Sequence, residues 1–192
     1  MRDDVSDLIA ALARTTAGSS DYDLNGHVAK PARPLRPAAV LIPVMKGRVI
    51  LTKRASHLKH HPGQIAFPGG KVDAGETPQD AALREAFEEI GLPPAHVQIL
   101  GALPAHETVT GFQMTPFIGV VGAPPPFTPD RAEVAEVFSV PLDFLRNPNN
   151  FRIEQRHWQG QPRNYYIVPY GPYYIWGATA RVLYGLAQRL SP

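Results

Sequence analysis

The feature that most constrains the fold is a short helix whose two ends are both marked in the sequence. Thr77 is a preferred N-cap residue, and Pro78 suits the first helical position because an amide hydrogen there would be unpaired anyway. Asp80 can complete a capping-box arrangement with Thr77. Gly91 fits the left-handed position that follows a helix, and the prolines after it cannot continue the helix. The sequence therefore predicts a helix over residues 78–90.

This helix combines an apolar face with a crowded acidic face. The positions that predict packing against a sheet are Ala82, Leu83, Ala86, Phe87 and Ile90. Glu85, Glu88 and Glu89 lie to one side, at relative rotations of roughly 0°, 300° and 40° for 3.6 residues per turn. Their carboxylates repel one another, and they lie near the negative end of the helix macrodipole. A divalent cation would remove this conflict because hard cations prefer oxygen ligands.

A solvated charged face is the alternative interpretation of the same residues. Arg84 can pair with Glu88 four residues later and with Asp80 four residues earlier. The preceding loop favours the metal site, because glycines allow backbone carbonyls to approach a ligand closely. The backbone of that loop is conformationally restricted at its start, at Phe67 and Pro68. It is conformationally free at the glycines that follow, Gly69, Gly70 and Gly75. The loop, the acidic turn and the connecting arginine together predict a cation-binding site.

The whole chain predicts one domain with an N-terminal extension. With 192 residues, 44% of them hydrophobic, it is long enough for one globular core. A helix over 3–14 is predicted from the helical spacing of Val5, Leu8, Ile9 and Leu12. Residues 15–36 are rich in Gly, Ser, Asp and Pro and predict a long connecting loop. We therefore divide the chain into residues 1–36, the helix and loop, and residues 37–192, the main domain.

Strands outnumber helices in the main domain. Two apolar runs, 38–44 and 48–54, flank Met45, Lys46 and Gly47 and predict a hairpin. Further strands are predicted over 97–102, 115–121, 135–140, 150–157 and 163–169. The last helix is predicted over 174–190 from the spacing of Ile175, Ala178, Val182, Leu186 and Leu190. Both kinds of element contribute to one core, which predicts the α/β (α+β) class of fold.

Composition removes several classes of function. The formal net charge of +2 and the pI near 9.0 are only mildly basic, so they give no reason to expect a nucleic-acid partner. There is no cysteine, which excludes disulfides and thiol chemistry and suits a reducing cytoplasm. No run of about 18 apolar residues occurs, and Asp3, Asp4 and Asp7 stand where a signal peptide would be basic. We therefore expect a cytoplasmic protein with no membrane partner.

The segment from Gly70 to Leu92 matches a known motif. It contains a glycine, five residues, a glutamate, seven residues and then the run REAFEEIGL, and it resembles the Nudix box at every defined position. The resemblance implies a Nudix hydrolase with a Nudix-type α/β/α sandwich around a mixed β-sheet. Such enzymes cleave a nucleoside diphosphate linked to another group.

The same resemblance implies the metal ligands. The helix glutamates of that family bind Mg²⁺ or Mn²⁺, and here they correspond to Glu85, Glu88 and Glu89. The Gly69 carbonyl is implied as a further ligand. A diphosphate repels an incoming nucleophile, so most of the catalysis must come from neutralising its charge and fixing its geometry. Divalent cations held by carboxylates do both.

The resemblance also implies catalytic roles for four residues. Glu76 and Arg84 would be the pair that braces the loop against the helix. Glu85 and Glu88 are candidates for a metal ligand that also serves as general base. The alternatives for the base outside the helix are Glu107, Glu133 and Glu136.

A second motif precedes the first. The stretch ILTKRASHLKHHPGQIAFPGG, residues 50–70, resembles the motif that distinguishes the coenzyme A pyrophosphatase branch of the Nudix proteins. Ile50 replaces a leucine of that motif, and Lys59 stands where that branch has arginine. Lysine keeps the charge but loses the bidentate fork of arginine, which alters the affinity for a phosphate group at that point. Resemblance to this branch extends over residues 37–190.

The second motif supplies the candidate substrate-binding residues. They are Arg54, Lys59, His60, His61 and Phe67. Basic side chains just before the catalytic helix would steer and hold an anionic substrate, although ordinary exposed loop charges are the alternative interpretation. A zinc site at the neighbouring histidines is disfavoured, because no HExxH pattern or cysteine accompanies them. Candidates for stacking on adenine, or alternatively for core or dimer contacts, are Tyr165, Tyr166, Tyr170, Tyr173, Tyr174 and Trp176.

These resemblances imply a specific reaction. It is hydrolysis of the diphosphate linkage of coenzyme A or acyl-coenzyme A, giving 3′,5′-ADP and 4′-phosphopantetheine or its acyl form. Another nucleoside diphosphate derivative, such as ADP-ribose, a dinucleotide or NADH, is the alternative substrate. A non-catalytic nucleotide-binding or RNA-binding module is the alternative from a different class, and the intact glutamate set argues against it. The expected partner is thus a small nucleotide, and a homodimer would be unsurprising for the family.

Overall fold

A mixed β-sheet with helices on both faces forms the body of the protein. The computed structural model describes residues 4–14, 16–158 and 160–191. The strands within these residues are β1 (Ser19–Ser20), β2 (Arg36–Met45), β3 (Arg48–Arg54), β4 (Ile65–Ala66), β5 (Gly69–Lys71), β6 (Val97–Ala102), β7 (His106–Glu107), β8 (Phe112–Val121), β9 (Val134–Pro141), β10 (Arg152–Trp158), β11 (Gln161–Tyr170) and β12 (Tyr173–Trp176). The helices are α1 (Asp4–Ala13), α2 (Pro78–Ile90), α3 (Leu142–Arg146) and α4 (Ala178–Leu190).

Strand β2 lies at the centre of the main sheet. It runs parallel to β8, with residues 36–44 opposite 112–120, and antiparallel to β3 and β5. The path of paired strands is β1, β7, β8, β2, β3 and β4, while β6 pairs with β8 and β9 with β3. Strands β10, β11 and β12 form a second, antiparallel sheet. The predicted hairpin of β2 and β3 is confirmed, and its turn residues Lys46 and Gly47 have φ values of 50° and 70°.

Alternate residues of β2 face two separate cores. Val40 and Ile42 belong to the core beneath α1, α3 and α4, whereas Ala39 and Leu41 belong to the core beneath α2. Because side chains alternate along a strand, β2 is buried on both of its faces. The architecture is therefore the α/β/α sandwich around a mixed sheet that the sequence predicts.

The N-terminal helix packs on the main sheet. Leu8 and Ala11 are 0% and 1% exposed and belong to the core shared with α4. Ile9 is 52% exposed, in contrast to its place on the predicted apolar face, because Ala11 takes the buried position instead. The residues of the predicted segments 1–36 and 37–192 that lie outside the described part of the chain are Met1, Arg2, Asp3, Thr15, Gln159 and Pro192.

The predicted connecting loop is held at defined points. Ser19 and Ser20 form β1, which pairs in parallel with β7, so the prediction of an entirely irregular segment over 15–36 is wrong there. Asn25 is buried, and its side-chain oxygen accepts a hydrogen bond from the Asn164 N–H at 2.7 Å. These contacts join the segment to both sheets.

The C-terminal helix begins later than predicted. The residues before it form β12, which pairs with β11, and α4 starts at Ala178 after Gly177, whose φ is 67°. The predicted helix over 174–190 is therefore wrong over 174–177, because pairing with a neighbouring strand satisfies the backbone of that apolar stretch. No helix in the described residues is long and apolar enough to cross a bilayer.

Candidate active site

Helix α2 has the ends that the sequence predicts. The Thr77 hydroxyl accepts a hydrogen bond from the Asp80 N–H at 3.2 Å and donates to the Asp80 carboxylate at 2.6 Å. At the other end Gly91 has a φ of 67°, and its N–H donates to the Phe87 carbonyl at 2.9 Å. The two caps fix the position of the acidic turn relative to the sheet.

The buried stripe of α2 differs from the predicted one. Its fully buried residues are Ala81, Ala82, Ala86 and Ile90. Phe87 is 53% exposed, so the prediction that Phe87 packs on the sheet is wrong. Small alanine side chains allow the helix to approach the sheet closely, and residues four apart lie on the same face. Two lines of residues on α2 therefore face the sheet, one formed by residues 81, 85 and 89 and the other by residues 82, 86 and 90. This orientation turns the side chains of Glu85 and Glu89 toward the interior of the protein.

Arg84 joins the acidic residues into one network. Its Nε donates to one oxygen of Glu76 at 2.8 Å, and a terminal nitrogen donates to the other oxygen at 3.1 Å. That terminal nitrogen also donates to the Lys71 carbonyl at 3.1 Å, while the second one donates to Glu85 at 3.1 Å and Glu88 at 2.9 Å. The bonds between Arg84 and Glu76 lower the pKa of Glu76 and raise the pKa of Arg84. This geometry has the form of the predicted brace between loop and helix.

Glu89 is a carboxylate held inside the protein. It is 5% exposed, and it accepts a hydrogen bond from the Gly69 N–H at 3.3 Å. Burial first, and the charge of Glu85 second, raise the pKa of Glu89 to about 8. Among the described residues, no lysine or arginine forms an ion pair with Glu89. The Gly69 N–H and the charge of Arg54 offset the cost of burying its charged form only in part.

Glu85 lies against the glycine-rich loop. A Cβ at Gly70 would lie 2.3 Å from a Glu85 carboxylate oxygen, so glycine is required for this close approach. The side chain of Glu85 is 19% exposed, whereas that of Glu88 is 56% exposed. Burial raises the pKa of Glu85, and the hydrogen bond from Arg84 opposes this rise. Glu85 and Glu89 are thus the inner carboxylates of the turn, and Glu88 is the outer one.

The donor set fits a hard divalent cation, although the side chains are not grouped as a metal site. Among the described residues, no three His, Asp or Glu side chains are arranged to hold a metal ion, and Glu88 is directed to Arg84. The buried Glu89 and the partly buried Glu85, both with raised pKa values, nevertheless lie beside the backbone of Gly69 and Gly70, and a divalent cation would stabilise their charged forms. Carboxylate and carbonyl oxygens are the ligands that Mg²⁺ and Mn²⁺ prefer. The assignment of Gly69, Glu85, Glu88 and Glu89 as ligands stays a prediction.

Arg54 and Glu133 act on the same carboxylates from outside α2. Arg54, at the end of β3, interacts electrostatically with Glu89, and its Nε is buried without a hydrogen-bond partner among the described residues. Glu133 interacts electrostatically with Glu85 and Glu89. The pairing of β3 with β9 places Arg54 next to Val134, which explains why no local sequence signal connects these residues to the helix.

The three alternative bases outside the helix occupy different environments. Glu107 forms an ion pair with Lys30, and Glu136 accepts a hydrogen bond from the Tyr173 hydroxyl. Of the three, Glu133 is therefore the one that the fold directs toward the carboxylates of α2.

The candidate substrate-binding residues fall into two environments. Arg54 is half-buried beside the inner carboxylates, whereas Lys59, His60 and His61 are exposed on the loop that follows β3. Phe67 is 3% exposed and packs in the core beneath α4, so a contact with substrate would require movement of the loop. The contacts of all five residues with substrate stay predictions.

The aromatic residues near the C-terminus form two groups. The group that packs inward against other aromatic rings comprises Tyr166, Tyr170 and Tyr173. The group whose ring centroids lie 5.1 to 5.6 Å from the Arg156 guanidinium comprises Tyr165, Tyr174 and Trp176. The interpretation as core contacts holds for the first group, and stacking of the second group on adenine stays a prediction.

We expect Gly70→Ala to lower kcat about tenfold, because the new Cβ would push the Glu85 carboxylate from its position. Gly26→Ala is a matched control, since a Cβ at Gly26 meets nothing within 4 Å. Steady-state hydrolysis and thermal melting of both variants are the measurements. Equal kcat values for the two variants would show that the position of Glu85 does not depend on Gly70.

Comparisons with a domain model and with related proteins point to the same family. The model of the NUDIX domain matches residues 34–159. A protein named uncharacterized Nudix hydrolase NudL from Enterobacter sp. (strain 638) is 40% identical over 159 residues, which cover 81% of this chain and 83% of that protein. The protein of the same name from Pectobacterium atrosepticum is 38% identical over 172 residues, covering 84% of this chain and 86% of the relative.

A solved structure has the same fold. The crystal structure of a NUDIX hydrolase from Nitrosomonas europaea superposes with a TM-score of 0.50 at 22% identity, and it covers 59% of this chain and 61% of that one. This likeness concerns the fold, while the domain match and the two relatives concern the sequence over most of the chain. On these grounds the chain belongs to the Nudix hydrolase family.

Proposed function

We propose that this protein hydrolyses the diphosphate bridge of coenzyme A or its acyl derivatives, releasing 3′,5′-ADP and 4′-phosphopantetheine or its acyl form. As a Nudix hydrolase it acts on a nucleoside diphosphate derivative, and such enzymes generally use divalent ions such as Mg²⁺ or Mn²⁺. The observation that carries the choice of substrate is the second motif over residues 50–70. Its Arg54 lies beside the inner carboxylates of α2, which supports a role at the same site.

The carboxylate side of the site would hold the cation. Glu85, Glu88, Glu89 and the Gly69 carbonyl are the proposed ligands, and the bound ion would neutralise the diphosphate and lower the pKa of a bound water. Arg84 contributes by position, because its bonds to Glu76 and to the Lys71 carbonyl fix the following loop and β5, which carries Gly69 and Gly70. Burial raises the pKa of Glu85 above its ordinary value, which makes the carboxylate a stronger base and supports a role as proton acceptor for the attacking water.

The basic side of the site would hold the substrate. The Nε of Arg54 is buried without a partner in the described residues, and a phosphate oxygen would satisfy it. Lys59, His60 and His61 are exposed on the adjacent loop, where they are free to contact an anionic group. Coenzyme A carries a 3′-phosphate in addition to its diphosphate, so it offers two anionic groups to this set.

A substrate panel tests this proposal. We expect kcat/KM for coenzyme A or an acyl-coenzyme A to exceed that for ADP-ribose and NADH at least about tenfold. ADP-ribose and NADH have no 3′-phosphate, so the basic side chains proposed to bind this group would have no partner in complexes with them. Dephospho-coenzyme A is the matched control, since it differs from coenzyme A only in the 3′-phosphate. Each assay is run with Mg²⁺, with Mn²⁺ and with chelator, and product analysis identifies the cleaved bond.

Two results would contradict parts of the proposal. Equal or faster cleavage of ADP-ribose would overturn the coenzyme A assignment while leaving the family reaction intact. Undiminished hydrolysis in excess chelator would overturn the metal-dependent mechanism.

A further inference from the structure

A cavity lies on the side of the sheet opposite the candidate active site. It has a volume of about 630 Å³, within the range of small-molecule sites, and it lies between α4 and the segment that follows α1. Helix α4 packs on one core of the sandwich and α2 on the other, so the cavity and the acidic turn of α2 are separated by the sheet. The catalytic assignments above therefore leave this cavity without a role.

The charged residues in the described lining of the cavity are all basic. Arg14, Arg181 and Arg189 belong to the lining, and no acidic residue belongs to the described lining. Arg181 pairs with Asp23 outside the lining at 2.9 Å. Arg14 donates to the Ser191 carbonyl at 2.7 Å and, in the part of the chain that the structure describes, forms no ion pair. The wall thus carries more positive charge than its neighbours neutralise.

Arg189 is the buried member of this set. It is 7% exposed and donates hydrogen bonds to the Ala11 carbonyl at 3.1 Å, to the Arg14 carbonyl and to the Thr16 hydroxyl. These acceptors are neutral, and burial lowers the pKa of Arg189. The carbonyls at the end of α1 supply only about half a negative charge. A buried cation without a full counter-charge is costly, and an anion in the cavity would compensate it.

The opposite wall is held in place before any ligand arrives. The Ser19 hydroxyl lies 2.9 Å from His106 Nδ1, and His106 Nε2 lies 3.1 Å from the Asp21 carboxylate. His106 is fully buried, and the Ser19 N–H donates to the Ala105 carbonyl at 3.0 Å. This wall is therefore fixed to β7, and binding would require little ordering of the backbone.

We propose that the cavity is a second binding site, which takes a small molecule through a doubly charged oxyanion such as a phosphate monoester. Guanidinium groups match phosphate oxygens in shape and charge, and three of them around one cavity favour a dianion over a monoanion. The site is independent of the proposed coenzyme A hydrolysis, since it lies across the sheet from the catalytic glutamates.

Inorganic phosphate is the probe that tests this site. The protein is titrated in chelator, at ionic strength held constant with chloride, and the backbone amides are followed by NMR. We expect saturable shifts of the amides of Gly18 and Gly185, which line the cavity, and no matching shifts of Gly69 and Gly70 at the catalytic loop. Acetate, as a monoanion, should bind at least about fivefold more weakly.

Matched variants complete the test. Arg14→Gln and Arg181→Gln should each weaken phosphate binding about fivefold or more, because each removes one guanidinium from the wall. Arg33→Gln is the control, since Arg33 is likewise exposed and bonded to one backbone carbonyl at 2.7 Å but lies outside the lining. Shifts confined to Gly69 and Gly70, equal binding of acetate, or equal affinity in Arg14→Gln and Arg33→Gln would each overturn the proposal. Hydrolysis by these variants is measured separately, so failure here does not bear on the catalytic assignment.

Discussion

Replacing Glu85 by glutamine is expected to lower kcat about 10²–10³-fold on the best substrate of the panel, with a smaller change in KM. Glutamine preserves the size of the side chain, and its carbonyl oxygen can still accept the bond that Arg84 donates at 3.1 Å. What is lost is the negative charge that would hold a cation and accept a proton. The fold should survive, so the effect belongs to the reaction rather than to stability.

The matched control is Asp143→Asn, which changes an acid on α3 whose side chain is 78% exposed. Its kcat should stay within about twofold of that of the unaltered protein, as for a surface substitution away from the site. Crystals soaked in Mn²⁺ give an independent reading, with an anomalous peak expected beside Glu85 and Glu89 and a weaker one after Glu85→Gln. If Glu85→Gln retains the full kcat, the carboxylate assignment is wrong.

Local signals predict helix α2 well because its determinants are adjacent in sequence. Thr77, Pro78 and Gly91 act within one turn of the helix they limit, so neither end depends on the rest of the fold. The bond between Glu76 and Arg84, a pair that the family resemblance implies, also spans only eight residues. Such features are readable from the chain alone.

The buried face of α2 depends instead on packing. Hydrophobicity assigns Phe87 to the sheet and the glutamates to solvent, yet Phe87 is 53% exposed and Glu89 is 5% exposed. The signal that identifies the true face is the set of small residues at 81, 82 and 86, which permits close approach to the sheet. The electrostatic interaction of Arg54 with Glu89 has no local signal, because the two residues belong to different elements, β3 and α2, that only the fold brings together.

Strand β12 shows a second limit of local patterns. Residues 173–176 are apolar and aromatic, and a short apolar run fits a strand or the start of a helix equally well. Pairing with β11 decides the outcome, and Gly177 makes the break before α4. The buried Asn25 is similar, since its partner Asn164 lies on β11, far away in sequence.

Glu89→Gln should lower the activity of the protein but raise the stability of its metal-free form. The variant is expected to lose about 10²-fold or more in kcat, because the inner carboxylate is a proposed metal ligand. In chelator it should nevertheless be more stable than the unaltered protein at pH 8.5, by roughly 2–4 °C in Tm for each kcal/mol of relieved charge burial. The amide oxygen of glutamine can still accept the Gly69 N–H, so packing around the site is retained.

The raised pKa of Glu89 determines how the difference in Tm between Glu89→Gln and the unaltered protein changes with pH. Burial raises the pKa of Glu89 from 4.5 to about 8, so the folded metal-free protein holds a proton that the unfolded chain releases. The resulting contribution to stability is complete below about pH 4.5 and is lost as the pH rises to about 8. The Tm advantage of Glu89→Gln should therefore be larger at pH 8.5 than at pH 5. Added Mg²⁺ should reverse the order at pH 8.5, since a ligand that binds only the folded state stabilises the protein with the intact carboxylate.

Glu88→Gln provides the comparison on the same helix. Its side chain is 56% exposed, so removing its charge relieves no comparable burial, and the rise in Tm at pH 8.5 in chelator should be smaller than for Glu89→Gln. If the curves of Tm against pH are parallel for the unaltered protein and Glu89→Gln, burial of Glu89 does not destabilise the metal-free fold. If Tm instead falls more steeply with pH in the unaltered protein and Mg²⁺ cancels this difference, the cost of burying this carboxylate is tied to the proposed cation.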